Sequence, residues 1–118
     1  MDALKQAFDR EWQLAREARL AGRLDLAFHH LERAHILGQR HTWRHVKSHA
    51  GMLHVGWLRS DAREILGQLG RIVAAALFSR IWVPVGNTGG ADVSAFRPMP
   101  MPDDLQALLA EVDPTTRR

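Results

Sequence analysis

Residues 29–54 read HHLERAHILGQRHTWRHVKSHAGMLH, and all seven histidines of the chain fall inside them: His29, His30, His35, His41, His45, His49 and His54. Two helical patterns meet in this stretch. Leu24, Ala27, Phe28, Leu31, Ala34 and Leu37 recur at three- and four-residue steps, the repeat of an amphipathic helix. Gly38 ends that helix. A second helix is expected over residues 42–55, with Thr42 as its N-cap. The connection at 38–41 is short, and a short link between helices makes them antiparallel neighbours. A turn at residue 39 or 40 sets position 35 opposite 44 or 45, and position 30 opposite 49.

Outward from this hairpin the pattern stays helical. In residues 2–20, Leu4, Ala7, Phe8, Leu14, Ala15 and Ala18 form an apolar stripe, with Asp2 as N-cap and Gly22 as the C-terminal cap residue. Glu11 lies along that stripe, and a carboxylate buried without a partner costs several kcal/mol. A protonated His35, an arginine or a metal would satisfy it. Downstream, Gly56 is expected to mark a turn. A fourth helix is expected from Ser60 or Asp61 to Phe78, its buried stripe being Ala62, Ile65, Leu66, Leu69, Ile72, Val73, Ala76 and Leu77.

After Phe78 the character changes. Residues 81–85 are extended by preference, because Pro84 forbids a helix interior. Residues 86–90, GNTGG, form a turn or a lid over the histidines. They lack the Gly-Lys-Ser/Thr ending of a nucleotide-binding loop. Residues 97–102 alternate proline and methionine and must be extended. A short last helix runs from Asp103 to about Glu111. The expected architecture is an all-α single domain over 1–118. Two antiparallel helical hairpins span 1–79, an extended arm and short helix span 80–112, and a loose tail covers 113–118.

Composition narrows the chemistry. With no cysteine among 118 residues there is no disulfide framework, thiolate nucleophile or cysteine-based zinc site. The net charge is +3, but lysines and arginines alternate with acids, as on a solvated helical surface, so no nucleic-acid partner is expected. No apolar run follows a basic N-terminus, and none is long enough for a bilayer, so a soluble cytoplasmic protein without a membrane partner is expected. Trp12, Trp43, Trp57 and Trp82 are expected as core or interface anchors.

Residues 18–27, ARLAGRLDLA, with Leu31 and Ala34 beyond, resemble the tetratricopeptide-type helical hairpin, in which small residues let two helix backbones approach closely. That resemblance covers the first half. It implies stacked antiparallel helices and, by analogy, a groove for a protein partner or a second copy of the chain. Over nearly the full length, LERAHILGQ at 31–39, GNTGG at 86–90 and the Pro-Met run resemble a small bacterial family of unknown function, which implies no activity.

The histidine spacing points to chemistry. His41, His45 and His49 recur at four-residue steps along one side of one helix, and Glu32 and His35 share a side of the facing one. With the first helix antiparallel to the second, Glu11, Glu32, His35, His45 and His49 are expected to converge. Imidazoles with a carboxylate suit a divalent transition metal such as zinc, iron or copper. Glu32-x-x-His35 has the spacing of carboxylate-bridged helical bundles, but no second such motif is present. The expected site is therefore mononuclear, with two or three histidines and Glu11 or Glu32. Its binding is expected to weaken as pH falls through about 6.5, where imidazole protonates. The alternative is a protein-interaction module whose histidines form a structural polar network.

Overall fold

A computed structural model describes residues 2–79 and 81–112 of the chain. The tail expected over 113–118 lies outside them. Five helices follow one another: α1 (Ala3–Leu20), α2 (Leu24–Gly38), α3 (Thr42–Leu58), α4 (Ala62–Phe78) and α5 (Asp103–Val112). Among the described residues there is no strand, so the all-α expectation holds. α1 packs on α2, α2 on α3 and α3 on α4, while α5 returns to lie across α1 and α2. No helix of these residues is long and apolar enough to cross a membrane.

Each boundary has a local cause. The Asp2 side chain accepts hydrogen bonds from Leu4 N and Lys5 N and starts α1. Gly22, at φ 77, takes the left-handed turn into α2 that a side chain would resist. α3 is capped by His41, whose Nδ1 accepts from Arg44 N at 3.3 Å, and not by Thr42. The expected break at Gly56 does not occur. Gly56 is helical and buried, because the Glu64 side chain packs where its Cβ would stand, and the turn comes at Ser60 instead.

Two apolar clusters hold the helices. Ala15, Ala18, Ala27, Leu31, Met52 and Val55 pack α1, α2 and α3 together, with Trp12 and Phe28 at the margin. Ile36 and Leu37 of α2 meet Leu105 and Leu109 of α5. The amphipathic stripes of α1 and α2 are thus buried as their periodicity predicts.

α4 reverses the expectation. Its buried residues are Glu64, Gln68 and Ala75. Leu66, Leu69, Val73 and Leu77 are exposed, Leu66 by 71%. The reason lies in residues 86–93, which run beside α4 without regular structure. Buried backbone groups need hydrogen-bond partners, and here side chains of α4 supply them. Gln68 Nε2 donates to Gly89 O at 2.8 Å, Arg71 Nη2 to Val93 O at 2.8 Å, and Ala91 N donates to Glu64 Oε2 at 2.8 Å. Satisfying the loop turns the polar side of α4 inward and its apolar side outward. Of the tryptophans, Trp12 is half-buried, whereas Trp43, Trp57 and Trp82 are exposed.

Candidate metal centre

His35 sits in the last turn of α2, and His45 and His49 are one turn apart on α3. The short turn between the helices brings them face to face. All three are buried, with 2%, 7% and 3% of their surface exposed. Their ring centroids form a near-equilateral triangle with sides of 4.8, 4.6 and 4.8 Å. The Nε2 atom of His35 lies 3.1 Å from Nε2 of His45 and 3.2 Å from Nε2 of His49.

The outer nitrogens decide what those inner contacts are. His35 Nδ1 meets the backbone oxygen of Asn87 at 2.8 Å. A carbonyl only accepts, so Nδ1 carries the proton and Nε2 of the neutral ring holds a lone pair. His49 Nδ1 meets Gln68 Oε1 at 2.6 Å. The Gln68 amide nitrogen is committed to Gly89 O, Glu64 Oε1 and Met52 Sδ, all acceptors, which fixes its oxygen toward His49. Nε2 of His49 therefore also holds a lone pair. Two lone pairs face each other across 3.2 Å with no proton between them. His45 is less constrained: its Nδ1 is buried without a partner in hydrogen-bonding geometry, although the Gln39 backbone acts on the ring electrostatically.

A proton does not relieve the contact at ordinary pH. Burial, then repulsion from His49 and His45, holds His35 well below the usual imidazole range. Burial brings His45 down to about 4. Burial, then the charge of His45, brings His49 down to about 3.

The supporting shell is built from amides. The Asn87 side chain is pinned by Ser94 O at 2.7 Å, Arg97 O at 2.8 Å and Gly89 N at 2.8 Å, and so holds the carbonyl that orients His35. Gln39, in the turn between α2 and α3, bonds Pro84 O at 3.0 Å and Gly86 N at 3.1 Å. Gly89 lies against the His35 ring, so a Cβ there would come within 2.6 Å of it, and its φ of +83 is one that only glycine adopts freely. The GNTGG loop is thus the cover of the triad. Gln39, Gln68 and Asn87 were not singled out by spacing. An amide at position 68, beside the apolar stripe of α4 and one turn from Glu64, is the available signal.

The two carboxylates lie elsewhere. Glu11 is held by His30 Nδ1 at 2.7 Å and Arg33 Nε at 2.8 Å, and Arg33 also bonds Asp104 of α5. The register of α1 on α2 brings Glu11 to His30 and Arg33, not to His35, and the arginine satisfies the carboxylate. Glu32 is half-buried; burial, then the negative charge of Asp92, raises its pKa to about 7. Among the described residues, the group whose potential ligand atoms lie within 4.8 Å of one another is His35, His45 and His49.

Above the triad opens a cavity of about 540 Å³ between α4 and residues 81–96. Its floor includes the three histidines. Its walls are mostly apolar, and among the described residues Arg71 is the arginine that lines it.

A family model described as "Protein of unknown function (DUF3703)" matches residues 2–109. No curated protein and no solved structure matches the chain.

Proposed function

The chain belongs to this family of unknown function, and we propose that it binds one divalent transition metal ion through Nε2 of His35, His45 and His49. The observation that carries this reading is the 3.2 Å contact between His35 and His49, two imidazoles each fixed with its proton on the outer nitrogen. Facing lone pairs at that distance repel unless a cation sits between them. A tetrahedral ion with metal–nitrogen bonds of about 2.0–2.1 Å spaces its ligand nitrogens about 3.3 Å apart. The observed separations of 3.1 and 3.2 Å are close to that edge. Outer N–H groups bound to a backbone carbonyl and an amide oxygen are the partners that orient metal-ligating histidines. Imidazole donors suit zinc, copper, iron and nickel. Three protein ligands leave a fourth position for water or a further ligand, the pattern of catalytic rather than structural zinc. Glu11 stays in its ion pair with Arg33 and in contact with His30, outside the coordination sphere.

Burial also revises the pH expectation. A native triad with His45 near 4 and His49 near 3 keeps its nitrogens free well below 6.5, so proton competition in the folded protein sets in closer to pH 4.

The test is elemental analysis of untagged protein after loading with zinc and dialysis. One zinc per chain is expected, lost in His35→Ala, His45→Ala and His49→Ala alike. Substoichiometric metal in the native protein, with a thermal midpoint indifferent to chelator, would make the triad a structural network.

A second reading, a helical protein-interaction module, is favoured by the exposed apolar face of α4 at Leu66, Leu69, Val73 and Leu77. Light scattering of the purified protein across a concentration series tests whether that face joins two copies.

A further inference from the structure

We propose that the cavity above the triad binds a small hydrophobic carboxylic acid, its carboxylate shared between the triad's metal and Arg71 and its apolar body lying against Phe78, Trp82 and Phe96. This rests on the metal reading and names the ligand class of the same site.

Charge carries the first half. A divalent ion held by three neutral imidazoles keeps its full 2+ charge, and Arg71 adds a further positive charge in the cavity wall. Among the described residues, no aspartate or glutamate lines the cavity. Arg71 spends Nη2 on Val93 O at 2.8 Å, while its Nε is buried without a hydrogen-bond partner. A buried donor without an acceptor is costly, and a carboxylate is the acceptor a guanidinium recognises best. The same group suits an open position on zinc or another borderline metal.

Shape and polarity carry the second half. The cavity of about 540 Å³ falls within the range of small-molecule sites. Beyond Arg71 and the triad it is lined largely by carbon, with Leu66, Ala74, Phe78, Ile81, Trp82 and Phe96 on its outer walls. These large side chains are exposed in this structure, Ile81 by 81% and Phe96 by 74%. An inorganic anion would satisfy Arg71 and leave those walls wet. A neutral alcohol would cover the walls and leave the Arg71 guanidinium without a countercharge. An acid with an alkyl or aromatic body does both.

The test uses the full chain loaded with cobalt(II), whose visible absorption reports its coordination, titrated with octanoate, acetate and octan-1-ol. Octanoate is expected to change the cobalt band at a concentration at least ten-fold below that needed with acetate, and octan-1-ol to leave the band unmoved. Arg71→Gln should weaken octanoate at least ten-fold, and Arg71→Lys less. Trp82→Ala, on the outer wall, should weaken octanoate more than acetate, which keeps the test open should Arg71→Gln fail to fold. A cobalt band that octanoate does not move, or moves no more readily than acetate, overturns the ligand proposal and leaves the metal reading intact. Absence of any cobalt band in the native protein overturns both.

Discussion

Three buried imidazoles that stay neutral should make the metal-free protein acid-sensitive, and the size of the effect follows from the site. In the unfolded chain each ring protonates near pH 6.5. In the native chain His45 does so near 4, His49 near 3 and His35 lower than usual, in each case chiefly because of burial. Between these limits the unfolded state binds more protons than the native state, so stability is lost as pH falls through 6.5. His45 and His49, held neutral, each cost about 2 kcal/mol at pH 5 relative to pH 7, about 4 kcal/mol together, and His35 acts in the same direction. Glu32 acts in the opposite sense. Its pKa is raised from 4.5 to about 7 in the native protein, so between these values the native state holds the extra proton. Acidification from pH 7 to 5 therefore returns at most about 2 kcal/mol, less whatever solvent screening removes at a half-buried group. The net expected loss is at least about 2 kcal/mol, a sizeable part of the roughly 5–15 kcal/mol that holds a domain together. Urea denaturation followed by circular dichroism, in chelator, at pH 7, 6 and 5 measures it. Glu32→Gln should deepen the loss to about 4 kcal/mol or more. A midpoint that stays constant from pH 7 to 5 would mean that the triad protonates in the native state as readily as in the unfolded chain, and would refute its burial.

Three substitutions probe the supporting structure. Gln68→Leu removes the acceptor of His49 Nδ1 and the donor to Gly89 O, so it should cost about 3–5 kcal/mol through orphaned buried groups and weaken zinc by about 10–100-fold. An unchanged zinc affinity in competition with a chromophoric chelator would remove Gln68 from the orienting shell. Gly89→Ala should destabilise by more than about 2 kcal/mol, because the positive φ and the His35 ring both oppose a Cβ, and a thermal melt within one degree of wild type would contradict that contact. Glu11→Gln should lower stability by about 1–3 kcal/mol through its bonds to His30 and Arg33 while zinc stays at one per chain. Loss of zinc in that variant would return Glu11 to the coordination sphere.

Periodicity alone accounts for much of the fold. The stripes in α1 and α2 are buried, the short turn at 38–41 makes α2 and α3 antiparallel, and Gly22 sits where a left-handed turn is needed. Four-residue spacing on α3 together with the tight turn was enough to bring His35, His45 and His49 into one group, because neither helix has freedom to rotate its apolar face away from the core. Those relations are local or nearly so, and local spacing determines them.

What the tertiary structure decided depends on groups far apart in the chain. The inward turn of Glu64, Gln68 and Arg71 could not be read from α4, whose strongest pattern is apolar, because the demand comes from unpaired backbone at Gly89, Ala91 and Val93. Nor did spacing distinguish Arg33 from a metal as the partner of Glu11, since a carboxylate on an apolar face asks only for some cation. The tautomers of His35 and His49 were set by Asn87, 52 residues away, and by Gln68, 19 residues away. Sequence alone placed three imidazoles together. Only long-range hydrogen bonds determined that two of them face each other with lone pairs and no proton, because the proton's position on each ring is chosen by the acceptor on its far side.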